Sequence, residues 1–452
     1  MELLDETKSL CPTCLSIIPA KIVTEEYKVY MEKFCKNHGF FRSLLWSDSG
    51  LYKRALRFSR RGSPAKPHID KTYRGCPYDC GLCPSHEQHT CLAIVEVTDS
   101  CNLICPVCLA GSSRESRWEP TLDDIGEMLK ELLSCEGGPT AIQFSGGEPT
   151  LRKDLSEIIS MAKDIGFKFM EIDTNGIKLA KDPQLARELA DAGLSGIYLQ
   201  FDGLDPSVHL KIRGADLTRV KERALSNCIK AGLAVTLAVT VIKGVNDHCL
   251  WDIVRYSISR KTIGVNFQPF TALGRYPKSI FNPLDRVTVS DIQVLIERQS
   301  KGAVKALDFI PVPCSDPRCS ALVYAYYKDD GKVEVINRLA DIEHLIDRYS
   351  LKNRFVDFDE LLNAIACELN TSKSLVLNCN PQAMGSPLRF LLEHLKPEGF
   401  FSIGCHFAQD VWTIDLKRVV KCCVHELREK GNLIPFCLYN ITSVNGKKLY
   451  RT

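Results

Sequence analysis

Long apolar runs are missing from this chain: no stretch approaches the ~18 consecutive apolar residues that a membrane-spanning helix requires. That excludes an integral helical membrane protein but leaves association with a membrane surface open. A secretory leader is missing as well. Met1-Glu2-Leu3-Leu4-Asp5 supplies neither a basic nor an apolar leader region, so a cytoplasmic protein is expected. There is little excess charge of either sign. The 58 Lys and Arg nearly balance the 55 Asp and Glu, for a net +3, and no strong field points to a nucleic-acid partner. No internal repeat or low-complexity tract is visible, which excludes a repeat array.

What is abundant is cysteine. The 452 residues, 45% hydrophobic and 25% charged, have room for two to four packed units, and they hold 21 cysteines. In a chain expected to stay in reducing cytosol these cannot mainly be disulfides. Spacing separates them into groups: Cys11/Cys14/Cys35, Cys76/Cys80/Cys83/Cys91, Cys101/Cys105/Cys108, Cys314/Cys319 and Cys405/Cys422/Cys423/Cys437. The scattered remainder (Cys135, Cys228, Cys249, Cys367, Cys379) reads as small buried hydrophobes. Grouped thiolates suit soft metal sites, above all iron–sulfur clusters.

Four regions follow: a small metal-binding unit over 1–55, a linker and cysteine-rich auxiliary site over 56–91, a core over 92–306 and a cluster-binding region over 307–452. In the core, strand-like segments (Leu92–Val97, Ala141–Phe144, Lys168–Asp173, Gly196–Asp202, Ala234–Ile242, Gly264–Pro269) alternate with helical patterns such as Leu122–Leu133, Leu155–Ile165, Pro183–Ala192 and Asp216–Ala231. Six strand–helix repeats imply an α/β fold with a parallel sheet, open or closed into a partial barrel.

Two copies of C-x3-C-x2-C occur, at Cys76/Cys80/Cys83 and at Cys101/Cys105/Cys108. Only the second directly follows a strand, and catalytic groups of parallel barrels gather at the C-terminal ends of strands. Cys101, Cys105 and Cys108 are therefore the catalytic candidates. The first motif reads as an auxiliary site, with Cys91 as its candidate fourth thiol. Three thiolates on a [4Fe–4S] cluster leave one iron open to an outside chelator, a position that the methionine end of S-adenosylmethionine (SAM) can fill. Electron transfer into the sulfonium would then yield a 5′-deoxyadenosyl radical, with the protein supplying position and exclusion of water. Polar groups at successive strand ends complete the expected cofactor site: Gly146, Gly147 and Glu148, then Thr174 and Asn175, Asp202, Asn246 and Gln268.

This ordered set, the three-cysteine motif after a strand and Gly146-Gly147-Glu148-Pro149 after the next, resembles the radical SAM superfamily over roughly residues 90–305. The resemblance implies a partial (β/α)6 barrel with cysteine-rich N-terminal and C-terminal extensions. One departure is Val107 before the third cysteine, where many members carry an aromatic residue.

The flanks are similar to a narrower group, the archaeal tetraether lipid synthases and their archaeal and bacterial relatives, including pterin methyltransferases. The segments concerned are Cys11-Pro12-Thr13-Cys14, Cys35-Lys36-Asn37-His38-Gly39, Cys80-Gly81-Leu82-Cys83, Val241-Ile242-Lys243-Gly244-Val245-Asn246-Asp247-His248 and Asn266-Phe267-Gln268-Pro269. The resemblance implies lipid biosynthesis, a transferase joining isoprenoid chains by radical C–C bond formation, as the leading function. Radical methylation of a pterin, or peptide maturation, is the alternative; an iron–sulfur carrier or zinc-ribbon module is the non-enzyme alternative. Expected cofactors are the SAM-binding [4Fe–4S] cluster, SAM, further iron–sulfur clusters, and mononuclear iron or zinc at Cys11, Cys14, Cys35 and His38. Expected partners are SAM, a small-molecule or lipid substrate, and an electron donor such as ferredoxin or flavodoxin. At least three of Cys314, Cys319, Cys405, Cys422, Cys423 and Cys437 are expected to converge on a C-terminal cluster.

Overall fold

The computed structural model describes residues 1–66, 72–81, 83–115, 118–312, 314–328, 332–339, 341–343 and 399–451; Cys367 and Cys379 lie outside them. The first 46 residues, which read as mixed in the sequence, form an antiparallel meander of β1 (Glu2–Leu10), β2 (Ile17–Glu25), β3 (Lys28–Cys35) and β4 (Gly39–Trp46). Buried and open side chains alternate along β2 and β3, so one face packs inward through Ala20, Ile22, Val29 and Met31. Helix α1 (Ser49–Arg57) follows, capped by the Asp48 carboxylate, which accepts from the Leu51 N–H.

The centre of the protein is the expected α/β partial barrel. Strands β5 (Leu92–Thr98), β6 (Ala141–Gly146), β7 (Met170–Thr174), β8 (Gly196–Gln200), β9 (Ala234–Val241) and β10 (Gly264–Pro269) lie side by side in chain order, all parallel. Helices α2 (Leu122–Glu136), α3 (Leu155–Ile165), α4 (Ile177–Lys181), α5 (Pro183–Ala192), α6 (Pro206–Arg213), α7 (Thr218–Lys230), α8 (Leu250–Ser259) and α9 (Val289–Gln299) connect and cover them. Period-two alternation divides each strand. Phe144, Ile172, Leu199, Leu237 and Phe267 are fully buried in the main apolar core. Their strand neighbours Gln143, Asp173, Tyr198, Asn266 and Gln268 point to the other, concave face. Thr121 and Asp124 form a capping box on α2, and Gly166 and Gly193 take left-handed conformations at the ends of α3 and α5.

The C-terminal residues extend this sheet. Short β11 (Ile310–Pro311), β12 (Ser320–Tyr327), β13 (Val333–Val335) and β14 (Gly399–His406) build one end, with β14 parallel to β10 and β12 antiparallel to β14. The chain then returns to the opposite end, where β15 (Val424–Arg428) lies parallel to β5 and β16 (Asn432–Pro435) pairs with β15. These strands lengthen the sheet at both edges. The two ends meet, with the Cys314 Sγ 3.6 Å from the Cys423 Sγ. No helix among the described residues is long and apolar enough to cross a membrane.

Candidate active site at the C-terminal ends of the parallel strands

Beyond Thr98 the chain enters an irregular loop carrying Cys101, Cys105 and Cys108. Backbone bonds pin it at intervals: the Cys101 N–H donates to the Ser113 carbonyl (2.7 Å), and Cys108 and Arg275 exchange backbone bonds (2.9 Å each way). Arg275 also donates from Nε to the Cys105 carbonyl (2.9 Å), and Arg213 from Nη1 to the Val107 carbonyl (3.1 Å). Gly146 and Gly147 let the end of β6 press on this loop, their neighbouring N–H groups reaching Thr98 and Ser100: Gly147 N to Thr98 O is 2.7 Å and Glu148 N to Ser100 O is 2.8 Å. A Cβ on Gly147 would sit 2.1 Å from the Ser100 carbonyl oxygen, and one on Gly146 2.1 Å from that of Thr98. The glycines are thus required by backbone approaching backbone. Gly147→Ala should cost about 3 kcal/mol of stability, at the upper end of overpacking penalties. A urea midpoint equal to that of the parent chain would show that the close approach does not exist.

The Glu148 carboxylate, one of the expected cofactor contacts, is held by bonds within the protein. Oε1 accepts from the hydroxyls of Thr150 (2.5 Å) and Thr174 (2.6 Å), and Oε2 from the Asn175 N–H (2.8 Å). The side chain is 1% exposed, so it ties the ends of β6 and β7 together. Asn175 faces the cysteine loop, its Nδ2 donating to Asn102 Oδ1 (2.7 Å) and lying 3.9 Å from Cys101 Sγ. Asp202, with φ +63°, is paired with Arg213 through Nε–Oδ2 (2.6 Å) and Nη2–Oδ1 (2.9 Å). Burial alone would push its carboxyl up, but the guanidinium holds it below the ordinary range. Asn246 uses both amide hydrogens on the Asp202 and Thr240 carbonyls (2.8 Å each), and its Oδ1 accepts from Ile242 N–H (2.8 Å). Asp202 and Asn246, read as cofactor contacts, brace the strand ends through these bonds. Gln268 donates to the Tyr198 hydroxyl (2.8 Å) on the concave face.

Arg213, Arg275 and Lys221 were not singled out from the sequence. Lys221 is fully buried, and its Nζ donates to the Asn175 carbonyl (2.7 Å) and Gln200 Oε1 (3.1 Å). Burial lowers its ammonium to about 8. The only signal for Arg213 and Lys221 was their place in helices α6 and α7, and for Arg275 its place just after β10, which says nothing of direction.

The three sulfurs suit a cluster with one open iron. Cys101, Cys105 and Cys108 lie within electrostatic reach of one another, yet do not form a group tight enough for a single ion. Burial pushes the Cys101 thiol up to about 12 and raises Cys105 as well, so thiolates here need a cationic partner.

The remaining thiols gather differently from expectation. Cys11, Cys14, Cys35 and His38 place all four ligand atoms within 4.8 Å of one another, with His38 Nδ1 3.6 Å from Cys11 Sγ and 3.5 Å from Cys35 Sγ. Cys76 and Cys80 lie near each other, and Cys76, Cys83 and Cys422 are close enough to raise the Cys80 thiol. Cys91 is not the fourth member of that set. It sits with Cys314 and Cys423, all three sulfurs within 4.8 Å, because its backbone N–H is bonded to the Cys423 carbonyl (2.8 Å) beside β15. Cys319, Cys422 and Cys437 line one pocket with Arg418, whose Nη2 is 3.0 Å from Cys319 Sγ. Cys405 stays apart: it is buried against α9, its sulfur facing the Val289 carbonyl (3.9 Å), and it behaves as a core side chain. The six C-terminal thiols thus fall into two neighbouring groups and one outlier.

A model of the radical SAM superfamily matches residues 95–257, and one described as the HMPTM N-terminal zinc ribbon domain matches residues 3–47. The 7,8-dihydro-6-hydroxymethylpterin dimethyltransferase of Methanocaldococcus jannaschii is 35% identical, covering 96% of this chain and 93% of that protein. The GTP 3′,8-cyclase of Alkaliphilus oremlandii is 33% identical over 40% of this chain and 56% of its own length. Among solved structures, Streptococcus suis SuiB bound to S-adenosylmethionine superposes with TM-score 0.38 at 16% identity, covering 47% of each chain.

Proposed function

This chain belongs to the radical SAM superfamily, and we propose that it is an enzyme that methylates a reduced pterin or a closely related heteroaromatic. The observation that carries the reading is the polar concave face of the parallel strands. Gln143 donates to Glu171 (2.7 Å), Ser145 faces Asp173 (3.4 Å), and Gln268 donates to Tyr198 (2.8 Å). The lipid-joining reading, placed first from the sequence, requires a long apolar channel, and this face, among the described residues, has the opposite character. The name of the Methanocaldococcus jannaschii relative supports the same choice.

Cys101, Cys105 and Cys108 would hold the [4Fe–4S] cluster, which with SAM supplies the one-electron cleavage that makes a carbon radical. The chain's own residues set the geometry: Arg213 and Arg275 fix the cysteine loop, while Glu148 and Lys221 fix the Thr174–Asn175 turn beside it. Asp173 and Glu171 are the substrate-facing acids. The pyrimidinone edge of a pterin presents neighbouring N–H donors that a carboxylate accepts as a pair. Burial raises Asp173 to about 6 and Glu171 to about 7, so one proton can be held or released near neutrality.

Anaerobic turnover with SAM, a strong reductant and 7,8-dihydro-6-hydroxymethylpterin should yield a methylated pterin by mass spectrometry. Coupled isoprenoid chains or a modified peptide, with the pterin untouched, would replace this reading. Asp173→Asn should weaken pterin binding roughly 10- to 100-fold, since a hydrogen bond to a charged group contributes about 1.5–3 kcal/mol. In the parent chain the charged acceptor is present above about 6 and lost below it, so pterin affinity should fall as pH drops through that value. The Asn variant should lose the part of this dependence centred near 6 and keep only that of Glu171 near 7. A titration that is flat in the parent chain would remove Asp173 from the site.

A further inference from the structure

We propose that His89, Cys91, Cys314 and Cys423 bind a single four-coordinate metal ion of the zinc class, and that this ion locks the two ends of the sheet together. Distances are the first support. A tetrahedral ion with metal–sulfur bonds of ~2.3 Å and a metal–nitrogen bond of ~2.0 Å sets two sulfurs about 3.8 Å apart, and a sulfur and a nitrogen about 3.5 Å apart. The Cys314 and Cys423 sulfurs are separated by 3.6 Å and all three sulfurs lie within 4.8 Å of one another, whereas His89 Nε2 reaches Cys91 Sγ (3.4 Å) from the edge of this trio and joins it as fourth donor by a side-chain turn. A cubane cluster, whose thiolates cap separate irons, holds its sulfurs farther apart than the corners of one tetrahedron.

The surroundings are those of a ligand set. His89 Nδ1 is 3.2 Å from the Ser63 carbonyl; donating there leaves the Nε2 lone pair directed at the thiols. The buried Gln88 amide organises the same group. Its Oε1 accepts from the N–H groups of Ser63 (3.0 Å) and His89 (3.1 Å), and its Nε2 donates to the Cys314 carbonyl. Val312, Leu322 and Val424 pack around the thiols and keep the site dry. The N-terminal group, Cys11, Cys14, Cys35 and His38, presents the same three-thiol, one-imidazole donor set.

Topology gives the ion its task. Cys91 and Cys423 precede the paired strands β5 and β15, whereas Cys314 lies in the turn between β11 and β12 at the other end of the sheet. An ion on all four residues joins three segments of chain, 89–91, 314 and 423, whose distant positions lose little extra loop entropy through length. Its binding free energy would then be closure free energy for the barrel.

The test is metal speciation on the full chain, purified anaerobically. Cys314→Ser/Cys423→Ser should lose one equivalent of zinc while cluster iron and sulfide stay unchanged. His89→Cys should keep that equivalent and, in the cobalt-loaded protein, shift the visible bands of tetrahedral Co(II) toward the all-thiolate pattern. Loss of iron with matching sulfide in the Ser variant would overturn the proposal in favour of a cluster; unchanged metal content would overturn it in favour of buried, unligated thiols. Should the Ser variant not fold, zinc-edge X-ray absorption on the parent chain decides. Repeated on a Cys11→Ser/Cys14→Ser chain, which has lost the N-terminal ligand group, it should show one zinc equivalent with three sulfurs and one nitrogen; no zinc there would overturn the proposal.

Discussion

Replacing Cys101, Cys105 and Cys108 together with alanine should abolish production of 5′-deoxyadenosine from SAM, while iron bound through the other cysteine groups is retained. The expectation rests on position. The loop carrying these thiols lies at the C-terminal end of β5, held against Gly146 and Gly147, where ligands of parallel barrels collect. Cys76/Cys80/Cys83 shares the same spacing but faces Cys422 from the C-terminal segment. A matched Cys76/Cys80/Cys83 triple variant should therefore lose iron without losing SAM binding. Undiminished 5′-deoxyadenosine from the Cys101/Cys105/Cys108 variant would remove the cluster from this loop.

Arg213→Met should be the most damaging single change outside the cysteines. It strips the buried Asp202 carboxylate of its bidentate partner, and breaking such a pair costs about 3–5 kcal/mol. Against the ~5–15 kcal/mol that holds typical proteins folded, this is a large fraction. The same guanidinium secures the Val107 carbonyl beside Cys108, so cluster retention should fall as well. The pH dependence carries a sign that distinguishes this cause. In the parent chain Asp202 is held below its ordinary range, so its contribution is complete at neutral pH and lost only in strong acid. In the variant the carboxyl keeps its burial but loses its bidentate partner, the largest of the cationic influences on it, leaving only the more distant Lys221, and its folded pKa rises above the unfolded ~3.9. Protonation then favours the folded form, and stability should decline as pH rises from 5 to 7. Adding Asp202→Asn should recover part of the loss and flatten that slope. Urea midpoints that are unchanged, or that rise over this interval, would show that the pair carries little of the fold.

Much of the centre was legible because its signals are local. Period-two apolar runs and 3.6-residue helical patterns placed β5 to β10 between their helices, and α3 and α5 end where Gly166 and Gly193 follow them. The alternation that buries Phe144 and Ile172 also puts Gln143, Glu171 and Asp173 on the concave face. The polar lining was therefore present in the text of β6 and β7, though only the strand ends were read as functional. Cys11, Cys14, Cys35 and His38 converge as their short spacings suggested, since β2 and β3 form a hairpin within one meander.

What the sequence determined by itself, then, is the chemistry on offer and the order of the parallel strands: three thiols after β5, two glycines after β6, a polar face along β7 and β10. Tertiary structure decided the partners. Cys91 left its sequence neighbours for Cys314 and Cys423, because β15 pairs beside β5 and carries Cys423 to it. Cys405 lies in a strand whose alternation turns its sulfur toward α9, away from the thiols it was grouped with. Glu148, Asp202 and Asn246 brace the strand ends because Thr174, Arg213 and the Thr240 carbonyl arrive from other strands and helices to satisfy them. The physical reason is the same in each case. Residue type and spacing limit what a side chain can bind, but long-range strand pairing determines which donor or acceptor reaches it, and loop closure costs so little extra with length that sequence distance is a poor guide to that choice.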